Sequence, residues 1–315
     1  MAASVEKTSF ELNSADGASV VRGFVWKPQE PAELKGVVQL IHGMAEYIDR
    51  YDDFARFLAA DGYVVCGHDH LGHGLSQPDQ ALRGHMPADG KETLLANAQN
   101  VQEKVAGDYP TLPVFVFGHS MGSFVARALL RRHGKNLAGV VVCGTGFVPV
   151  GTSKAGNALA RTISRVQGDQ THSNLLHSLA DGAYSKGVAD ARTPFDWLNT
   201  DPEKVDAYIN DPDCGYMFTA GGYAVLTDLT AEVCDADLMA LIPRYVPLLY
   251  VAGDQDPVGD YGKGVAAAAQ LALAGGAKDV QVKIYSGMRH EILQEPNRMQ
   301  VYQDVLSWIN QIAKA

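Results

Sequence analysis

The chain has 315 residues, 46% of them apolar and 20% charged, with 36 acidic against 26 basic side chains and a formal net charge of −10. That length buries a sizeable core, either as one large α/β unit carrying an insertion or as two units of roughly 150 residues each. The acidic balance without a basic run argues against nucleic-acid binding through phosphate neutralisation, and apolar runs far short of the ~20 residues of a membrane span argue against integral membrane association.

Taken in chain order, residues 19–27 alternate as an antiparallel strand, with Val20, Arg22, Phe24 and Trp26 on one face and Val21, Gly23, Val25 and Lys27 on the other. Short continuous apolar runs follow at 37–41, 63–66 and 114–117, each with a helix-length segment after it. Runs at 140–143 and 246–252 extend the series, and 280–285 closes it. Continuous β-prone runs predict strands buried on both faces, hence a mostly parallel central sheet flanked by helices. The alanine-rich segment 265–274 suits a helix, and so does 297–313, where Met299, Val301, Tyr302, Val305, Trp308, Ile309 and Ile312 recur at helical spacing. Between Phe147 and about Ala240 the rhythm breaks into short helical pieces. The expected organisation is a sheet domain over 1–147 and 241–315 with a helical cap inserted at 148–240.

Gly118-His119-Ser120-Met121-Gly122 directly follows the 114–117 run and precedes an amphipathic segment at 123–132. A strand-to-helix turn this tight strains its central residue and demands small neighbours where strand and helix nearly touch, so Ser120 is the candidate nucleophile. A serine needs a base oriented by an acid. Around such an elbow the partners follow in the order Ser, acid, His. Of the ten histidines, only His290 lies beyond His177, just after the last predicted strand. The acid belongs after 246–252, in Gly253-Asp254-Gln255-Asp256-Pro257. Asp256 is preferred because a residue before proline is held extended, which suits a projecting loop; Asp254 and Asp260 read as loop or capping residues. The 37–41 strand ends near Gly43, where the backbone turns, so the N–H groups of Met44 and Met121 are the candidate oxyanion donors.

His42-Gly43 with Glu46 and Arg50-Tyr51, then Asp69-His70-Leu71-Gly72-His73-Gly74-Leu75-Ser76, the 118–122 elbow, Gly253 with Asp256, and His290 share an order and spacing. In these blocks, spread over roughly 37–295, the chain resembles the monoacylglycerol lipase and lysophospholipase branch of the α/β-hydrolases. The resemblance implies an α/β-hydrolase fold, a Ser120–Asp256–His290 triad, Met44 and Met121 as oxyanion donors, and a cap over a hydrophobic acyl pocket. One position departs from the animal-type lipases, which carry a second histidine three residues after the catalytic one; here it is Leu293, as in bacterial lysophospholipase-like members. Glu46 and Arg50 are candidates for a polar head group or for a structural ion pair, and Leu293, Met217 and Phe218 are further candidate substrate contacts.

His68, Asp69, His70 and His73 crowd one loop, but neighbours in an extended chain point to opposite faces and no second cluster completes a coordination shell, so no metal is expected. Gly144-Thr145-Gly146 hints at a dinucleotide fingerprint, yet its third glycine would fall on Pro149, so no nucleotide cofactor is expected either. Among Phe195, Trp197, Tyr216, Met217, Phe218 and Tyr223 of the insertion, about one third are expected to line an acyl pocket. Four cysteines without paired spacing, and an N-terminus lacking a basic and then an apolar block, suggest reduced thiols and a cytoplasmic location.

The expected function is cofactor-free hydrolysis of small lipid-like carboxylic esters through an acyl-enzyme on Ser120, with transient contact to lipid surfaces left open. The alternatives are a short-chain carboxylesterase and an amide hydrolase of the proline iminopeptidase type. The latter needs an ammonium pocket from Asp181, Asp190, Asp211 or Asp213. A non-catalytic binding protein on the same fold is the rival from another class.

Overall fold

The computed structural model describes residues 4–29, 33–180, 182, 184–189 and 191–314. One eight-stranded sheet organises them, in the order β1-β2-β4-β3-β5-β6-β7-β8. The strands are β1 (Val5–Asn13), β2 (Val20–Pro28), β3 (Gly36–Ile41), β4 (Tyr63–His68), β5 (Val114–His119), β6 (Gly139–Cys143), β7 (Leu248–Gly253) and β8 (Val280–Tyr285). β1 and β2 are antiparallel, as are β2 and β4, and all pairs from β4 onward are parallel.

Every apolar run read from the sequence is a strand; the run at 246–252 begins two residues later, at Leu248, with Pro247 accepting the Val140 N–H through its carbonyl. β1 was not anticipated. Val5 packs on one side of the sheet and Phe10 and Leu12 on the other, so no single apolar stripe marks this edge strand.

Alternation along β5 builds both layers. Phe115 and Phe117 face helix α1 (Asp52–Ala60) and α10 (Arg298–Ala313), where Phe54 bridges the rings of Phe117 and Tyr302 at 5.2 and 4.9 Å. Val116 faces α3 (Met121–His133) and α9 (Lys263–Ala274) on the opposite side, and α2 (Lys91–Gly107) covers β3 and β4 there. Each such fully buried side chain contributes about 1.5–3 kcal/mol.

Between β6 and β7 the chain passes through α4 (Val150–Gln167), α5 (Asn174–Ala180), α6 (Pro202–Asn210), α7 (Ala220–Val233) and the short α8 (Ala236–Met239). Asp201 caps α6 ahead of Pro202, and the Thr219 hydroxyl accepts the Gly222 N–H at the start of α7. α4 lies on α7 at Gly156, where a Cβ would stand 3.2 Å from Thr227. All four cysteines are free and buried, and burial pushes the Cys66 thiol up to about 12. Among the described residues no helix is long and apolar enough to cross a membrane.

Parallel pairing brings the C-terminal ends of β3, β5, β6, β7 and β8 to one edge, so the loops that follow them meet there.

Candidate active site

At the end of β5 the backbone turns directly into α3 through Ser120, whose φ of 53° and ψ of −120° lie in a region that side chains rarely adopt. Close contact explains the flanking glycines. A Cβ on Gly118 would stand 2.2 Å from the Gly122 carbonyl, and one on Gly122 would stand 2.1 Å from that of Ile41. The Ser120 N–H donates to the Cys143 carbonyl at 2.9 Å, which ties the strained residue to β6.

His290, in the loop after β8, is buried, and its Nδ1 lies 3.0 Å from Asp256 Oδ2. The carboxylate only accepts, so Nδ1 carries the proton and Nε2 is left as the acceptor. Asp256 is fully buried and takes the Val258 N–H on its other oxygen at 2.9 Å. Asp254 is occupied elsewhere, accepting from Gly287 N–H at 2.8 Å and from Ser286 at 3.1 Å; Asp260 is exposed at a left-handed turn. Trp197, His119 and Gly144 enclose the His290 ring, with centroids 5.1 and 4.7 Å away for the first two.

The loop after β3 runs beside the nucleophile: a Cβ on Gly43 would stand 3.0 Å from Ser120 Cβ. Met44 follows Gly43, and Met121 opens α3, where first-turn N–H groups have no acceptor within the helix. Both methionines line the same cavity as Ser120 and His290. The loop rests on the histidines that crowd 68–73. His73 Nε2 accepts the Ala45 N–H at 3.3 Å, and His42 Nε2 accepts the His70 N–H at 3.0 Å. Burial pushes His70 down to about 4 and His73 to about 3, so both rings are neutral and brace the backbone, His73 as the acceptor for Ala45 and His70 by donating its Nε2–H to the His42 carbonyl at 3.2 Å.

Behind the loop sits a buried ionic cluster. Glu46 accepts from the Gly43 N–H at 2.6 Å, the Tyr51 hydroxyl at 2.9 Å and Arg50 at 2.8 Å, and Arg50 makes a two-pronged contact with Glu291 at 2.6 and 2.9 Å. Burial opposes charge on Glu46, but its bond to His119 and the Arg50 charge prevail and bring it down to about 2.

The cavity has a volume of about 490 Å³ and an apolar wall that includes Phe124, Leu159, Leu176 and Leu226. Of the five candidate substrate contacts, Glu46 lines it. Arg50 and Leu293 border a small adjoining void with Glu46 and Glu291. Met217 and Phe218 are not among its lining residues. Phe218 is fully buried between the rings of His73 and Tyr223, and Met217 packs against the same core. Four of the six large insertion side chains do line it, namely Phe195, Trp197, Tyr216 and Tyr223, more than the third expected. His119 and Glu291 had no functional reading in the sequence; nothing in their spacing marks them, because they meet only through the fold.

Of the acidic residues considered for an ammonium pocket, Asp181 and Asp190 lie outside the described residues, while Asp211 accepts from Tyr47 at 2.7 Å and Asp213 pairs with Arg83. A strained serine and a histidine oriented by a buried carboxylate, on one cavity that Met44 and Met121 also line, form a set able to carry acyl transfer.

Residues 32–297 match the family described as serine aminopeptidase, S33. A monoacylglycerol lipase of Mycolicibacterium smegmatis is 30% identical over 90% of this chain and 91% of its own length, and a human monoglyceride lipase is 26% identical over 95% and 89%. A thermostable carboxyl esterase from Bacillus coagulans, solved in complex with glycerol, superposes with a TM-score of 0.90 at 29% identity, covering 98% of this chain and 99% of that one. Matched in sequence and in fold over nearly its whole length, the chain belongs to the serine aminopeptidase S33 family of α/β-hydrolases and is a monoacylglycerol lipase-like carboxylic ester hydrolase.

Proposed function

We propose that this enzyme hydrolyses monoacylglycerols through an acyl-enzyme on Ser120. Ser120 Oγ attacks the ester carbonyl while His290 Nε2 takes its proton, and Asp256 holds the Nδ1–H and stabilises the imidazolium. The N–H groups of Met44 and Met121 receive the oxyanion. His290 returns the proton to the departing glycerol, and water activated by the same ring releases the fatty acid.

The observation that carries this reading is the apolar cavity of about 490 Å³ lined by both Ser120 and His290, a volume and character suited to an acyl chain. We read 148–240 as a cap over a core formed by 1–147 and 241–315, because α4, α5 and α7 supply much of that cavity's wall. Similarity to bacterial and human monoacylglycerol lipases supports glycerol as the leaving alcohol. Leu175 and Leu179, 55% and 68% exposed on α5, fit transient contact with a lipid surface, and the four buried free cysteines fit a cytoplasmic location.

The test is product release from a matched panel of long-chain monoacylglycerol, lysophospholipid, short simple ester and aminoacyl amide, with Ser120→Ala as the blank. Turnover of the monoacylglycerol well above the rest, lost in the blank, is the expected result. Cleavage of the short ester alone, or of the amide alone, rejects the lipid reading.

A further inference from the structure

We propose that His119 is a permanently protonated imidazolium, set against His290 by the Glu46–Arg50–Glu291 cluster, and that as a positioning residue its charge tunes the proposed base. His119 closes β5 immediately before Ser120 and is buried. Its Nδ1 lies 3.3 Å from Glu46 Oε1, and its Nε2 lies 3.2 Å from the His290 carbonyl. Both partners can only accept. A neutral imidazole has one N–H, so one of the two contacts would set lone pair against lone pair; an imidazolium satisfies both.

Charge counting within the cluster gives the same answer. Glu46 and Glu291 are two buried carboxylates sharing one guanidinium, that of Arg50. One negative charge is left over, and a buried charge without a partner is strongly disfavoured. A second proton on His119 neutralises the cluster. The other titratable neighbours do not supply it: burial keeps Tyr51, Cys143, Tyr208 and Cys214 protonated and neutral, and Asp256 is engaged by His290 on the far side of that ring. Burial alone would lower the affinity of His119 for a proton, but the bond to Glu46 and the charges of Glu46 and Glu291 reverse this and leave it above the usual imidazole value.

The His119 and His290 rings are 4.7 Å apart, so His290 stands between an anion at Nδ1 and a cation at its other flank. That cation adds positive potential beside the His290 ring and beside Ser120, where the oxyanion develops. This effect on catalysis rests on the reading of Ser120 and His290 given above; the protonation state of His119 does not.

The experiment begins with the resting, substrate-free enzyme. Histidine side-chain nitrogens are labelled with ¹⁵N, and the His119 ring is assigned through bonds from its backbone. At pH 8, where an ordinary imidazole of pKa about 6.5 is almost wholly neutral, two ring N–H protons are expected on His119. Glu46→Gln, which keeps the shape but removes the anion, should leave one. His119→Gln should move the acid limb of kcat/KM for a soluble ester to higher pH by about half a unit or more and lower kcat roughly tenfold, with KM within about twofold. Glu46→Gln should move the limb in the same direction by less. A single ring proton in the wild type at pH 8 overturns the proposal, as do two in Glu46→Gln. Two protons in the wild type with an unmoved acid limb in His119→Gln overturn the influence on the base. Should His119→Gln fail to fold, the wild-type spectrum and Glu46→Gln decide both points.

Discussion

Gly43→Ala tests the proposed oxyanion loop without replacing a proposed triad member. The new Cβ would stand 2.6 Å from Glu46 Oε1 and 3.0 Å from Ser120 Cβ, so restoring an ordinary contact of ~3.4 Å requires a shift of about 0.8 Å. Glu46 is poorly placed to retreat, since Tyr51, Arg50 and His119 all hold it. Ser120 is fixed by the glycine contacts of the elbow and by its bond to Cys143. The displacement therefore falls on Gly43 and Met44. An oxyanion donor works within about 2.7–3.1 Å, and a 0.8 Å shift exceeds that window. Losing one donor lowers kcat about 10²–10³-fold, or about 3–4 kcal/mol in the barrier, with KM within about threefold. Steady-state hydrolysis of a chromogenic ester measures this, and circular dichroism checks that the fold is retained. A folded Gly43→Ala enzyme with kcat within threefold of wild type would refute the reasoning.

Asp256→Asn should lower kcat by about 10⁴, whereas Asp254→Asn should leave it within about threefold; the reverse ranking in the same assay would reassign the acid. Gly151→Ala, on α4 with nothing within 4 Å of the added Cβ, should stabilise the protein by about 0.5–1 kcal/mol and raise Tm by about 1–3 °C in calorimetry, and a lower Tm would contradict the open space seen there. Burial depresses His70 and His73 to about 4 and about 3, so between pH 6.5 and 4 the unfolded chain binds more protons and stability is lost as pH falls. Asp69, which burial raises to about 6, works in the opposite sense between about pH 4 and 6, and Glu46, brought down to about 2, loses its contribution progressively as pH falls from about 4.5 towards 2. Tm should therefore drop by several degrees from pH 6.5 to 4, and His73→Gln, which keeps an acceptor for Ala45, should reduce the drop; a flat profile in the wild type would sink this account.

The sheet was legible because β3 to β7 are covered on both sides and read as short apolar runs; the half-exposed edge strand β8 coincides with 280–285, and α10 nearly with 297–313. The elbow was legible because backbone proximity at Gly118 and Gly122 excludes any side chain, a constraint written in residue type. Strand order was not, since nothing local says that β4 inserts between β2 and β3. The wall of the cavity was readable only in part. Tyr216 and Phe218 are two residues apart in similar apolar surroundings, yet one lines the cavity and the other fills the core against His73. The Glu46–Arg50 ion pair was one of the two readings of those residues, but the Glu291 and His119 side of the cluster escaped, because Arg50 and Glu291 are 241 residues apart and meet only through the fold.

The burial of Cys66, Cys143, Cys214 and Cys234 has a practical use. With no thiol at the surface, and those of Cys66, Cys143 and Cys214 held protonated by burial, the wild-type chain is close to inert toward maleimides. A single cysteine introduced at Leu175, exposed on α5, would then be labelled selectively without removing the native four. A spin label or fluorophore there would report how α5 moves as ligand enters, against an almost silent background.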